Sequence, residues 1–229
     1  SNWFFRTDHH WKPEAAFFAW QALTDELEER YGLAADPALT DPANWDTRVL
    51  EHFFLGSQGK RVGSLYAGAD DITLYTPKFD SELTYSCPAY GFTRTGPFET
   101  SVCFPERVAQ QDWFNGNPYT YYAGGDYPIA TITNHKNPDG PRVVLLRDSF
   151  ACALTPFLAL SCGELITIDL RYFHDDLLSY VDWLEPDVVL VMYTAGSLAL
   201  DPLFDFFPAG DFCLDTYQSA PPIAQKPEL

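Results

Sequence analysis

Ser149 follows the apolar run Val143-Val144-Leu145-Leu146, where a buried strand should give way to a helix. A serine at such a turn presents its hydroxyl at the sheet edge. The helix N-terminus behind it offers backbone N–H groups and a positive dipole end to a developing oxyanion. That is what a serine nucleophile needs, although Asp148 or Ser149 could equally serve as a helix cap. A nucleophile also needs a base, and Asp8-His9-His10-Trp11 supplies one near the start of the chain. In an extended segment side chains alternate, so Asp8 and His10 would share a face and His9 would point away. Asp8 could then orient the His10 ring and leave its other nitrogen to accept the Ser149 proton. The same residues also suit a structural or metal-ligand cluster. A metal reading using His9 and His10 lacks a third ligand, because His52, His135 and His174 have no neighbouring ligand at suggestive spacing. No metal or cofactor is expected.

The last third of the chain predicts strand, helix, strand, helix, strand. The strands are Val143–Leu146, Leu165–Leu170 and Val188–Tyr193, with a helical stretch after Ser149 that Pro156 should kink or shorten and a second helix over Asp175–Leu184. Such an order implies a parallel sheet with right-handed crossovers, whose sites gather beyond the strand carboxyl ends. Arg171 stands at one such end, where it could hold a substrate carboxylate or hydroxyl, or pair with Asp169 or Asp175. Residues 13 to 31 predict a helix: Pro13 suits the first turn, Phe17, Trp20, Leu23, Leu27 and Tyr31 recur at helical spacing, and Gly32 supplies the stop. Residues 3 to 11 predict an extended lead-in, and 32 to 48 a connection rich in Pro, Asp and Asn. From about residue 56 to 105 the texture turns to Gly, Pro, Thr and Tyr, which suggests an antiparallel β-rich insertion with strands at Ile72–Tyr75 and Leu83–Tyr85. Residues 106 to 140 read as irregular, and the segment from Pro221 as a surface strap or frayed end.

At 229 residues the chain is long enough for one α/β domain, read here as a single domain over 1–229, and its aromatic load of 18 Phe, 13 Tyr and 6 Trp is incompatible with disorder. With 32 acidic against 14 basic residues the formal charge is −18, which argues against nucleic acid and anionic lipid as partners. No window has the roughly 18 to 20 apolar residues of a membrane helix, so no direct membrane insertion is expected. The sequence opens at Ser1-Asn2-Trp3 without a charged and apolar leader, which fits a cytoplasmic protein or one whose export signal has been removed. Cys87, Cys103, Cys152, Cys162 and Cys213 form no C-x-x-C pair; Cys87 and Cys103 could form a disulfide or remain as buried thiols.

Thr7-Asp8-His9-His10-Trp11, Gly63-Ser64-Leu65-Tyr66, Phe114-Asn115-Gly116-Asn117-Pro118, Arg147-Asp148-Ser149-Phe150-Ala151 with Pro156-Phe157-Leu158, and Ile168-Asp169-Leu170-Arg171-Tyr172-Phe173 together resemble the bacterial DHHW proteins. These are similar to the SGNH hydrolase-like domains of the alginate O-acetylation proteins. The resemblance implies an α/β, flavodoxin-like three-layer sandwich with a parallel sheet, and a triad of Ser149 as nucleophile, His10 as base and Asp8 as orienting carboxylate. The order Asp-x-His before Asp-Ser is that of the alginate acetylation proteins. Arg147 stands where the usual Gly-Asp-Ser has glycine, and Cys152 where a small polar residue is expected. The resemblance further implies a side-chain amide in the oxyanion hole, for which Asn117 is the candidate, although Gly116-Asn117-Pro118 also reads as a turn. Tyr119, Tyr121, Tyr122 and Tyr127 could stack on sugar rings or pack in the core. The expected activity is an O-acetyltransferase or O-acetylesterase acting outside the cytoplasm on a cell-surface or secreted polysaccharide, an acetylated glycan being the partner and a membrane-bound acyl-transfer system a further one. The alternative is an inactive domain of the same fold that binds glycan or a partner protein.

Overall fold

The computed structural model describes residues 3–198. The Pro221 segment and Cys213 lie outside them. The expected first helix runs over Pro13–Tyr31 (α1), with Pro13 in its first turn; Gly32 ends it at φ 69°, its N–H donating to the Glu28 and Leu27 carbonyls. Two strands, β1 (Trp45–Phe54) and β2 (Asp70–Pro77), form a separate antiparallel pair. The main sheet contains β3 (Leu83–Cys87), β4 (Phe92–Gly96), β5 (Ile129–Asn134), β6 (Arg142–Arg147), β7 (Glu164–Ile168) and β8 (Val188–Met192), in the order β4-β3-β5-β7-β6-β8.

The sheet is mixed, a correction to the parallel sheet expected. Only β7, β6 and β8 run parallel, while β5 pairs antiparallel with β7 and continues through β3 to β4. Strands β3 and β4, drawn from the stretch read as a β-rich insertion, therefore extend the same sheet that carries Ser149. Strand β5 falls inside the stretch read as irregular.

Strand β6 lies between β7 and β8, and its apolar run is continuous because both faces are covered. Val143 and Leu145 enter a core with Phe17 and Trp20 of α1 and with Phe157 and Leu158. Val144 and Leu146 enter a second core with Ile166, Ile168, Leu177 and Tyr180. The chain after β6 forms a 3-10 turn, Ser149–Ala153, before the helix Thr155–Ser161, so Pro156 sits in a first turn and starts a helix instead of kinking one. The last predicted helix spans Leu177–Leu184, capped by Asp176. Cys87, Cys103, Cys152 and Cys162 are all free and buried.

Candidate functional site

The residues 3 to 11 do not form an extended strand; they double back. A bridge joins Phe4 to Trp11, the Phe5 N–H donates to the His10 carbonyl, and the Lys12 N–H to the Trp3 carbonyl. Asp70 at the start of β2 holds this loop, accepting from the Thr7 N–H and hydroxyl, both at 2.7 Å, and from the Arg6 N–H at 3.2 Å. Asp8 and His10 therefore meet through a turn and not through alternation. One Asp8 oxygen accepts both the His10 backbone N–H (3.0 Å) and the His10 ring Nδ1–H (2.5 Å). The other accepts the Ser57 N–H at 2.8 Å, at the first residue of the helix Ser57–Val62.

Because Nδ1 donates to a carboxylate, the His10 tautomer that fits leaves Nε2 as an acceptor, and Nε2 lies 2.9 Å from the Ser149 Oγ. The imidazole is packed between the His9 ring at 3.9 Å and the Tyr119 ring at 4.2 Å. Burial opposes the charge of Asp8, but the His10 hydrogen bond and charge and the Ser57 and His10 backbone N–H groups outweigh it, holding the carboxyl well below the usual range. Burial and the neighbouring His10 lower the pKa of half-exposed His9, which favours its neutral form.

Asp148 caps the 3-10 turn through the Phe150 N–H at 2.9 Å, and its other oxygen accepts the Thr194 N–H and the Thr194 and Ser197 hydroxyls; Ser149 faces His10. Those bonds outweigh burial and lower the Asp148 pKa. Asp8, His10 and Ser149 open onto a cleft of about 650 Å³ that Asn117 and Gly125 also line, with Lys60 and Arg61 at its edge. Asn117 is thus brought to the same cleft as Ser149, while its carbonyl anchors the turn Pro118–Tyr121 by accepting from the Thr120 N–H and hydroxyl.

Arg171 is committed to acids. It forms a fork with Asp169 and reaches Asp126 at 2.8 Å, and Asp126 in turn holds Arg147 at 3.1 Å. Buried Arg147 also donates to the Gly125 carbonyl at 2.6 Å, tying the loop at 124–126 to the strand that leads into Ser149. The tyrosine cluster is core and not a sugar platform: Tyr119, Tyr121, Tyr122 and Tyr127 are all buried. Among the described residues, Asp8, His9 and His10 are grouped closely enough to hold a metal, but an ion there would have to displace the bonds from His10 to Asp8 and Ser149.

Sequence reasoning missed three supports of this site. Asp70 carries no local signal. Gly56 is required because a Cβ there would lie 2.2 Å from the Asp8 Cβ. Trp11 closes the motif by donating its indole N–H to the Phe150 carbonyl at 2.8 Å.

The fold and these contacts define a mixed α/β protein with a Ser-His-Asp constellation at the carboxyl end of a central parallel strand. The chain belongs to the DHHW protein family, whose model matches residues 1–166. It is similar to the crystal structure of a DHHW family protein from Eubacterium siraeum at 21% identity and TM-score 0.65, over 89% of this chain and 62% of that one. It is similar to Bacillus cereus PatB1 at 25% identity and TM-score 0.68, over 90% and 66%, and to PatB1 with a sulfonyl adduct at 24% and 0.67, over 90% and 64%. The chain thus spans slightly less than two thirds of these proteins. A looser match is the O-acetyltransferase domain of Pseudomonas putida AlgJ, at 17% identity and TM-score 0.36, over 90% and 61%. Among curated proteins no significant match was found. No helix among the described residues is long and apolar enough to cross a membrane.

Proposed function

We propose that this chain is an SGNH hydrolase-like, serine-dependent acyl-ester enzyme, an O-acetyltransferase or O-acetylesterase of a cell-surface or secreted polysaccharide. The observation that carries the reading is the unbroken relay from Ser149 Oγ to His10 Nε2 and from His10 Nδ1 to Asp8, at the wall of an open cleft. The similarity to PatB1, which has been captured with a sulfonyl adduct, supports it. In this mechanism the Ser149 oxygen attacks the acetyl carbonyl while His10 Nε2 takes the hydroxyl proton, and Asp8 stabilises the imidazolium. The Ser149 backbone N–H and the Asn117 amide would receive the oxyanion. Collapse of the intermediate breaks the ester bond, and His10 returns its proton to the departing alkoxide, leaving acetyl-Ser149. Water or a sugar hydroxyl, deprotonated by His10, then attacks the acetyl group and restores the serine. With a substrate of this class the protein would act outside the cytoplasm, and a membrane-bound acyl-transfer system would be a donor partner.

The test is hydrolysis of an aryl acetate by wild type and Ser149→Ala, with the intact mass read during turnover. The wild type should release the phenol and accumulate one acetyl group, and Ser149→Ala should do neither. Equal rates would discard the triad and leave a non-catalytic glycan-binding domain.

A further inference from the structure

Gly63-Ser64-Leu65-Tyr66, one of the runs that carry the family resemblance, takes no part in the relay from Ser149 to Asp8. It forms the short helix Ser64–Ala67, bracketed by Gly63 at φ 88° and Gly68 at φ 65°, backbone that residues with a Cβ rarely adopt. Leu65 is fully exposed, Tyr66 is 85% exposed, and Val62 just before them is 59% exposed. A single apolar side chain in water needs no explanation, but these three follow one another along one loop and form a patch. Exposed Trp113 and Phe114 approach from a second loop. The Trp113 carbonyl accepts the Leu55 N–H at 3.0 Å, at the entry to the helix Ser57–Val62, and Phe114 lines the Ser149 cleft together with Lys60 and Arg61.

The charge around this patch runs against the rest of the chain. Residues 52 to 69 contain no Asp or Glu, the longest such run in a sequence with 32 acids, and Lys60-Arg61 is the one pair of adjacent bases. Among the described residues six of the thirteen Lys and Arg side chains make no ion pair, so an unpaired base is ordinary here; their placement is what is uneven. Three of the six, Arg6, Lys60 and Arg61, surround this segment, and the Arg6 Nη2 would lie 3.1 Å from a Cβ at Gly68. Nearby acids are largely taken. Asp70 is held by Thr7, Asp71 accepts the His52 N–H at 2.7 Å, and Asp112 is bound by Asn115, whose bonds, with a smaller pull from Lys60, lower its pKa. Three bases with one facing acid leave the patch positive.

An apolar tip with Tyr and Trp at its margin and bases around it has the composition that settles at a bilayer surface. Aliphatic side chains enter the acyl boundary, aromatic rings sit at headgroup level, and long basic side chains reach the phosphates. The net charge of −18 repels an anionic surface over most of the molecule. At physiological ionic strength that repulsion is screened beyond roughly 8 Å, so the face in contact decides.

We propose that the face formed by Val62, Leu65, Tyr66, Arg6, Lys60 and Arg61 docks on an anionic lipid surface. Lys60 and Arg61 also line the Ser149 cleft, so docking brings the mouth of that cleft to the headgroup layer. The docking stands whether or not Ser149 carries acyl groups.

The test is flotation of the full chain with vesicles of phosphatidylcholine, alone or mixed equally with phosphatidylglycerol, read as a partition coefficient. The mixed vesicles should carry the protein, and phosphatidylcholine alone should carry at least about tenfold less, since each base near an anionic surface contributes roughly a factor of five. Lys60→Gln with Arg61→Gln should lower partition into the mixed vesicles on the order of tenfold. Leu65→Ser with Tyr66→Ser should also lower it, with circular dichroism unchanged because neither side chain is buried. Arg30→Gln with Lys136→Gln removes the same charge from other exposed positions and should leave partition as in the wild type. Equal losses in that control, or partition untouched by the Lys60/Arg61 and Leu65/Tyr66 variants, would overturn the proposal. Wild-type protein left in solution by the mixed vesicles would overturn it as well, and would make a protein the occupant of the patch.

Discussion

Trp11 and Phe150 are joined twice: the indole N–H donates to the Phe150 carbonyl at 2.8 Å, and the two rings stack at 4.7 Å. The segment carrying His10 is thereby fastened to the residue that follows Ser149, across 139 positions of sequence. The Tyr119 hydroxyl donates to the same carbonyl at 2.7 Å while its ring lies against His10. Trp11→Phe keeps an aromatic on Phe150 and removes one donor, and Tyr119→Phe removes the other. Each should cost about 1 kcal/mol in urea unfolding, and the double variant more than the sum, because only then does the part-buried carbonyl lose both donors. Each should also lower kcat, since the contacts set the His10–Ser149 geometry, and Trp11→Phe should leave KM nearly unchanged, because Trp11, unlike Tyr119, does not line the cleft. Strict additivity would show that the two donors are independent.

Gly56 leaves no space for a side chain. Its φ of −71° is ordinary, so the constraint is close approach and not backbone conformation. A Cβ at this position would meet the Asp8 Cβ at 2.2 Å and the carboxylate Oδ2 at 2.5 Å. Gly56→Ala should therefore push Asp8 off His10 and reduce aryl-acetate turnover by on the order of 100-fold, the scale of a misplacement near 1 Å. Circular dichroism should remain that of a folded protein. Wild-type turnover in Gly56→Ala would mean that Asp8 can move without loss, and that it does not orient His10.

What the sequence made legible follows from which signals are local. Helix α1 was readable to its ends because Pro13 and Gly32 punctuate a clear 3.6-residue pattern. The strand before Ser149 was readable because burial on both faces leaves an unbroken apolar run. Strand β1 was not, because most of its residues are exposed and it looks like the Pro/Asp/Asn-rich connection before it. Strand β5 has the β-branched content of a strand in Ile129-Ala130-Thr131-Ile132-Thr133, but turn signals on either side mask so short a run. The Asp8 and His10 pair was found for a reason that the fold replaces, since a side-chain-to-backbone turn unites them where alternation was expected. Asp126 and Asp70 could not be found at all, because their partners Arg147 and Thr7 are distant in sequence.

Acid should weaken the fold partly through Asp8. Its folded carboxyl titrates below its unfolded counterpart near ~3.9, so its stabilisation is complete above that pH and is lost as the pH falls through the lower folded value. Asp148 acts in the same sense. Asp169 acts oppositely: burial, only partly offset by Arg171, raises its pKa, so its contribution is present below the unfolded value and lost as pH rises through the folded one. In urea titrations between about pH 5 and pH 2, the stability gap between wild type and Asp8→Asn should narrow with acidification. A gap constant across that window would show that the Asp8 charge is not what stabilises the loop.

Arg147 is fully buried, and it stands where a glycine is usual before Asp-Ser. Its Nη2 donates to the Gly125 carbonyl and its Nη1 to Asp126, the Cys152 sulfur and the Asp148 carbonyl. Burial still pushes the Cys152 thiol up to about 12, so this cysteine is a neutral packing partner and not a rival nucleophile. The cation thus stitches the loop at 124–126 to the turn at Ser149, and its charge is balanced mainly by Asp126, which Arg171 shares. Removing one member of such a pair leaves a desolvated charge and typically costs about 3 to 5 kcal/mol, whereas neutralising both sides costs less. Arg147→Met should accordingly destabilise the protein by roughly 3 kcal/mol. Asp126→Asn in the same chain should recover only part of this, because Asp126 also serves Arg171 and because the Gly125 carbonyl loses its donor in either case. Aryl-acetate turnover should fall in Arg147→Met even under conditions where the variant is folded, since Gly125 lines the same cleft as Ser149. A stable, fully active Arg147→Met would show that the buried cation fills space and that the loop holds its position without it.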